Sequence, residues 1–364
     1  MIIGFDGSRA FASIRTGTEN YSYQLLSSLA KIDQTNTYYV YLRSQIPNPN
    51  KWPKNFQFKV VKWPRLWTQA GLAIQTFTDS LDVLFVPSHT LPIIRKPGLK
   101  TVITVHDLGS EYLPSMHQLK QRLYLGFMQK YQLKSSTKII AVSKATKMDL
   151  IKKIGCNPKK IEVVYEGYDQ NLFKPLKNDA LVSSLRHFRL KSGNYFLFVG
   201  TVQPRKNLTK LIKAFASLRG YDLAIAGSKG WMSEDIYSLP KELGIDERVR
   251  FLGYVPDRDL PALYSGAKAF IFPSLFEGFG LPILESQACG CPVITSNLSS
   301  MPEVAGKGAI LVNPYNIDDI VKGMKEIEDS KTRDKLIKAG FENIKRFSWE
   351  KCAKETLALL EKTV

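Results

Sequence analysis

A chain of 364 residues is longer than one hydrophobic core ordinarily organises, so two domains are expected. Hydrophobic residues make up 44%, no segment is low in complexity, and the longest apolar runs are strand-sized, which excludes a disordered chain and a membrane-spanning helix. The formal charge of +18 is uneven: residues 1–170 carry 23 Lys and Arg against 11 Asp and Glu, and residues 171–364 carry 28 against 22. A basic half calls for an anionic partner, namely nucleic acid, phospholipid headgroups or a phosphorylated substrate, unless it is only a solvated surface.

The start, Met1-Ile2-Ile3-Gly4-Phe5-Asp6, has no basic leader and reads as a first core strand, Ile2–Asp6. Strand-like runs follow at Tyr38–Leu42, Phe58–Val61, Val83–Val86, Val102–His106, Ile139–Val142 and Glu162–Val164. Helical patterns fall between them, at Glu19–Ile32, Gln118–Leu133 and Ser143–Ile154, the last with Ser143 as its N-cap. From Asp169 to Asn194 the pattern is irregular and polar, as a linker would be. Alternation resumes with Tyr195–Val199, Leu223–Ala226, Val249–Leu252, Ala269–Phe272, Val293–Thr295 and Ile310–Val312, and a helical tail spans Trp349 to Lys362. Strands alternating with helices predict an α/β protein of two doubly wound parallel-sheet domains, residues 1–170 and 171–348. Residues 349–364 form a last helix expected to return to the first domain. Cys156, Cys289, Cys291 and Cys352 show neither metal-ligand spacing nor the density of a disulfide framework, so a soluble cytoplasmic protein is expected.

Ligands of such sheets sit beyond the carboxyl ends of strands, which directs attention to the loops there. After Ala269–Phe272 the chain reads Pro-Ser-Leu-Phe-Glu-Gly-Phe-Gly-Leu-Pro-Ile-Leu-Glu, residues 273–285. This places Glu277 beside Gly278, Phe279 and Gly280 and opens a helix at Leu281-Pro282, with Glu285 expected in its first turn. A glycine loop feeding a helix start aims backbone N–H groups at one point, which suits a phosphate. The loop after Tyr195–Val199 adds Arg205 and Lys206, a forked and a compact cation. Alone this pair would be a surface feature; on the same sheet edge as Glu277 it makes a diphosphate site. No Walker loop is present and no Gly-x-Gly-x-x-Gly follows the first strand, which disfavours phosphoryl transfer and nicotinamide chemistry. Nucleotide sugars remain, and Glu285 could accept both hydroxyls of a ribose. His106-Asp107 closes a core strand, where it is either an active group or a histidine satisfied by its own loop. Gly17, in Thr16-Gly17-Thr18-Glu19, offers a further backbone nest or a simple turn.

Taken in order and spacing, these motifs resemble the retaining glycosyltransferases of family 4, with the GT-B fold of two Rossmann-like domains. The motifs are Glu277-x7-Glu285, Gly200-x5-Lys206 and His106-Asp107, continued by 299–304 (Ser-Ser-Met-Pro-Glu-Val) and Asn313-Pro314. The resemblance implies that Arg205, Lys206 and the amides of Gly278, Phe279, Gly280 and Leu281 hold the donor diphosphate. Glu285 would bind ribose, Tyr254 and Val255 would lie near the base, and Gly17 would approach the donor phosphate or acceptor. His106 and Glu277 would face the transferred sugar. It further implies no metal and no cofactor beyond the nucleoside-diphosphate sugar, GDP-mannose or a UDP-sugar, with wording that leans toward bacterial mannosyltransferases of surface-polysaccharide assembly. Three positions depart from the family pattern: Glu19 and Thr201 where glycine and arginine are usual, and Glu166-Gly167 in place of Asn-Gly.

The acceptor is expected on the first domain. Lys51-Trp52-Pro53-Lys54 and Lys62-Trp63-Pro64-Arg65-Leu66-Trp67 interleave cations with tryptophans, and Gln118–Leu133 mixes cations with apolar residues. Such segments suit an anionic bilayer surface, and hence a glycan or lipid-linked acceptor, unless the apolar residues are simply core. No base-reading motif accompanies the charge, so nucleic acid is not expected. Two rival readings are a nucleotide-sugar 2-epimerase of similar fold and a non-catalytic sugar-nucleotide-binding protein.

Overall fold

The computed structural model describes residues 1–12, 17–46, 48–88, 90–108 and 130–364. They form two compact units, Met1–Gly167 together with Trp349–Val364, and Tyr168–Ser348. The first unit is built on β1 (Ile2–Asp6), β2 (Thr37–Leu42), β3 (Phe56–Val60), β4 (Val83–Val86), β5 (Lys100–Val105), β6 (Lys138–Ala141) and β7 (Ile161–Val163), in the order β3-β2-β1-β4-β5-β6-β7. The second contains β8 (Tyr195–Val199), β9 (Asp222–Ala226), β10 (Val249–Gly253), β11 (Ala269–Phe272), β12 (Val293–Ser296) and β13 (Ala309–Val312), in the order β10-β9-β8-β11-β12-β13. Every named pairing is parallel; Phe5, for instance, lies opposite Val40 on one side and Phe85 on the other.

Parallel neighbours need crossovers that cover both sheet faces, so their strands read as continuous apolar runs rather than alternating ones. Val-Leu-Phe-Val in β4, Tyr-Phe-Leu-Phe-Val in β8 and Ala-Phe-Ile-Phe in β11 are buried at every position. This is why the sequence marks strand existence so plainly. The strand order reverses between β1 and β4 in one unit and between β8 and β11 in the other. Helices diverge to opposite faces at such a point, which leaves the crevice that ligands of these folds use.

The helix Trp349–Thr363 packs on the helix Gly17–Ile32 within the first unit, Trp349 meeting Tyr21 edge-on at 5.8 Å and Asn36 Nδ2 donating to Glu361 at 3.3 Å. Its buried stripe is Trp349, Cys352, Ala353, Thr356, Leu359, Leu360 and Thr363, an i, i+3, i+4 progression. Ser143 caps its helix as expected, its hydroxyl accepting from Thr146 N at 3.0 Å. That helix is regular only over Lys144–Asp149; a single wider turn, Leu150–Ile154, follows and ends at left-handed Gly155. The stretch expected as an irregular linker holds a ten-residue helix, Asn178–His187, whose polar composition hid it. Of the expected helix Gln118–Leu133, residues 118–129 lie outside the described residues.

Candidate active site

At the second unit's switch point the loops after β8 and β11 meet. The β8 loop turns through a short 3-10 segment, Pro204–Lys206, before the helix Leu208–Ala216 begins. Asn207 makes the joint in the left-handed region, φ 61°, and its side-chain amide donates to Pro273 O at 3.1 Å and Pro314 O at 2.7 Å. One residue thereby fastens the cation-bearing turn to the strand end at β11 and to the loop after β13. Leu275 N donates to Arg205 O at 2.9 Å, closing the two loops on each other.

Within this frame Glu277 accepts from Arg205 Nη1 at 2.7 Å on Oε2 and from Lys206 Nζ at 2.6 Å on Oε1. Glu277 and Lys206 are both buried, and the Lys206 ammonium also stands 4.8 Å from the centre of the Phe272 ring. Burial alone would raise the Glu277 carboxyl, but the Lys206 and Arg205 charges and their hydrogen bonds overcome it and hold it at about 2. Glu277 is therefore an anion at any working pH, with each oxygen committed to a cation. A carboxylate so engaged is a poor nucleophile and no proton donor; it is well placed to accept hydrogen bonds.

The glycine loop is held by hydroxyls from residues 299 and 300. Ser299 Oγ donates to Glu277 O at 2.6 Å, and Ser300 Oγ lies 3.0 Å from Glu277 O and 2.7 Å from Phe279 O. With those carbonyls drawn toward the serines, Gly280 swings to φ 107°, a conformation glycine tolerates, and starts the helix Leu281–Ala288 with Pro282 in its first turn. Glu285 falls in the second turn of that helix rather than the first as the sequence suggested, because Gly280 is the cap and Leu281 the first helical residue. Its carboxylate accepts from Tyr264 Oη at 3.0 Å. Burial pushes its pKa up to about 7; the Tyr264 hydrogen bond opposes this and the negative field of Asp257 adds to it. Tyr254, exposed, and Val255, buried, follow β10 on the same carboxyl edge. Gly253 O there accepts from Gly227 N at 2.7 Å.

His106 and Gly17 belong to the first unit. His106 follows β5, and both its ring nitrogens meet acceptors: Nδ1 is 3.1 Å from Glu166 Oε1, and Nε2 is 3.0 Å from Pro87 O. Tyr21 packs edge-on against the ring at 4.5 Å. Burial would lower the imidazole pKa, but the Glu166 hydrogen bond and charge, the Pro87 carbonyl and Asp107 outweigh it and leave it raised. Gly17 is the exposed first residue of its helix, and a Cβ there would meet nothing within 4 Å. Arg9 Nη1 pairs with Glu19 at 3.0 Å, one of the positions where the family pattern is broken.

Sequence reasoning gathered Arg205, Lys206, Glu277, Gly278, Phe279, Gly280, Leu281 and Glu285 in one unit, as the structure has them. It missed the supporting roles of Asn207, Ser299, Ser300, Tyr264 and Glu166. The two serines lay inside a quoted motif and Asn207 directly follows another, but nothing in those residues says which carbonyls they reach. Glu166 is 60 residues from His106 and no local spacing joins them.

A family model described as Glycosyl transferases group 1 matches residues 163–343, and one described as Glycosyltransferase Family 4 matches residues 16–172. The O-antigen chain mannosyltransferase B of Escherichia coli is 31% identical over 264 residues, 71% of this chain and 69% of that one. The O-antigen chain mannosyltransferase RfbU of Salmonella typhimurium is 30% identical over 264 residues, again 71% and 69%. Among solved structures, Anabaena Alr3699/HepE in complex with UDP-glucose superposes with a TM-score of 0.77 at 19% identity, covering 99% of both chains.

Proposed function

The chain belongs to the group 1 glycosyl transferases of glycosyltransferase family 4, and on that premise we propose that it moves mannose, with retention and without a metal, from GDP-mannose to a glycan or lipid-linked acceptor at the cytoplasmic face of a membrane. The observation that carries this reading is the ion-paired trio of Arg205, Lys206 and Glu277 at the β8/β11 switch point, beside the glycine-opened helix of Glu285.

As the sugar–phosphate bond breaks, negative charge builds on the leaving diphosphate. Arg205, Lys206 and the amides of residues 278–281 are fixed before that happens, so they meet the charge without reorganisation, the largest single lever such sites have. Glu277, anionic and held by both cations, accepts from hydroxyls of the transferred sugar. Glu285 takes the ribose hydroxyls, and Tyr254 and Val255 flank the base. Because Glu277 is unfit to attack, retention follows a same-face course in which the leaving phosphate oxygen takes the acceptor's proton. By the family pattern His106, whose imidazole pKa Glu166 raises, is the first unit's contribution toward that sugar. The mannosyl preference rests on the relatives named above, and the nucleotide-sugar donor on Alr3699/HepE as well.

The test is transfer from GDP-mannose, compared with UDP-hexoses, to a polyprenyl-linked glycan, with product linkage read by NMR. Mannosyl product with retained anomeric configuration is expected, unaffected by EDTA. Inverted product, or a changed sugar appearing without acceptor as an epimerase would give, refutes the reading.

A further inference from the structure

From Gln34 to Thr78 the chain holds no acidic residue, yet carries Arg43, Lys51, Lys54, Lys59, Lys62 and Arg65. Two of the three tryptophans in this region are structural. Trp67 is buried, its indole N–H donating to Val61 O at 3.0 Å under the Arg43 guanidinium. Trp52 packs edge-on against Phe11 and Phe58. Between β3 and the buried Trp67, however, Lys62-Trp63-Pro64-Arg65-Leu66 are exposed without interruption. Trp63 is 44% exposed, and Leu66 is 75% exposed with φ 52°, a left-handed conformation that a leucine adopts only at a cost.

The apolar display continues onto the next element. A Cβ built on Gly71 would lie 2.9 Å from Trp63 Cβ, so the loop rests against that turn. Ile74, three residues on, and Phe77, three further, are 43% and 51% exposed. Scattered exposed apolar residues are ordinary, but four on one pinned loop and the adjoining helix make a patch. Lys59 is occupied by Asp79 at 2.8 Å, whereas Lys62 and Arg65 flank Trp63 and Leu66 at the surface.

We propose that Trp63, Leu66, Ile74 and Phe77 enter the headgroup layer of an anionic bilayer while Lys62 and Arg65 bind its phosphates. Tryptophan favours that depth, and cations beside it gain from a negative surface. A second copy of the chain is the poorer occupant, since a two-fold contact would oppose one all-cationic patch with another. The proposal deepens the lipid-linked acceptor reading by naming the surface that meets the lipid. Its test uses no sugar donor, so it stands or falls separately from that reading.

The full chain is mixed with vesicles of phosphatidylcholine alone and with 30% phosphatidylglycerol, and binding is read by sedimentation and by tryptophan quenching with brominated lipid. Binding to anionic vesicles is expected, falling at least ten-fold in a Trp63→Ser/Leu66→Ser variant and in a Lys62→Glu/Arg65→Glu variant. Trp63→Phe keeps the binding but removes most of the quenching. Both paired variants keep the far-UV circular dichroism and melting temperature of the wild type, which shows that they fold. Equal binding by wild type and both variants overturns the proposal, as does self-association in solution abolished by Trp63→Ser/Leu66→Ser.

Discussion

Replacing Glu285 by glutamine separates two things that this carboxylate does. Folding raises its pKa from 4.5 to about 7, so the folded protein holds this proton more tightly than the unfolded chain does. No penalty exists below pH 4.5; it grows as pH climbs and is complete above pH 7. The gap corresponds to about 3 kcal/mol, a ceiling because the half-buried side chain keeps some solvent. Glutamine removes the charge and still accepts the Tyr264 hydroxyl. Glu285→Gln is therefore expected to stabilise the ligand-free second unit at pH 8.5 by up to about 3 kcal/mol, a rise of roughly 5–10 °C in Tm, and to change nothing at pH 4. Its affinity for GDP, measured by calorimetry, falls at least ten-fold at pH 8.5, because charge-assisted bonds to the ribose become neutral ones. A stability difference that is flat with pH would refute the burial account. Unchanged GDP affinity would refute the ribose role.

Lys206→Met leaves the buried Glu277 with one cation instead of two and is expected to cost about 3–5 kcal/mol in urea unfolding. Adding Glu277→Gln recovers most of that stability but none of the turnover, which stays down at least about 100-fold. In Glu166→Gln the acceptor at His106 Nδ1 is no longer charged, so the imidazole titrates at lower pH than in the wild type. Because that raised pKa stabilises the fold below it and the benefit fades as pH rises through it, the variant loses more stability at pH 6 than at pH 9; histidine NMR titration and pH-dependent melting check both statements. Gly227→Ala places a Cβ 1.9 Å from Gly200 O, forcing apart the ends of β8 and β9, and is expected to cost at least about 2 kcal/mol in the same unfolding assay.

Strand positions were legible because fully buried parallel strands are apolar throughout: β1, β4, β8 and β11 match the sequence reading to the residue. Helix interiors were less so, since the wide turn at Leu150–Ile154 and the polar helix Asn178–His187 depend on tertiary packing that propensity does not encode. The charged part of the site was readable from loop chemistry, Arg205 and Lys206 on one strand end and Glu277 on another. What holds those loops was not, since the side chains of Asn207, Ser299 and Ser300 act on carbonyls 21 to 107 residues away. The tryptophan-rich segment split for a similar reason. Trp52 and Trp67 went inward with the aromatic core, and only Trp63 remained outside.

The first unit is assembled from both ends of the chain, Met1–Gly167 and Trp349–Val364. A ribosome that has just finished Gly167 must still make the remaining 197 residues, about 10–40 s of elongation, before the closing helix emerges. Throughout that interval the helix Gly17–Ile32 lacks the cover it has in the finished molecule, while the second unit, contiguous in sequence, can complete itself first. Nascent-chain proteolysis should therefore find the later-made half protected before the earlier one.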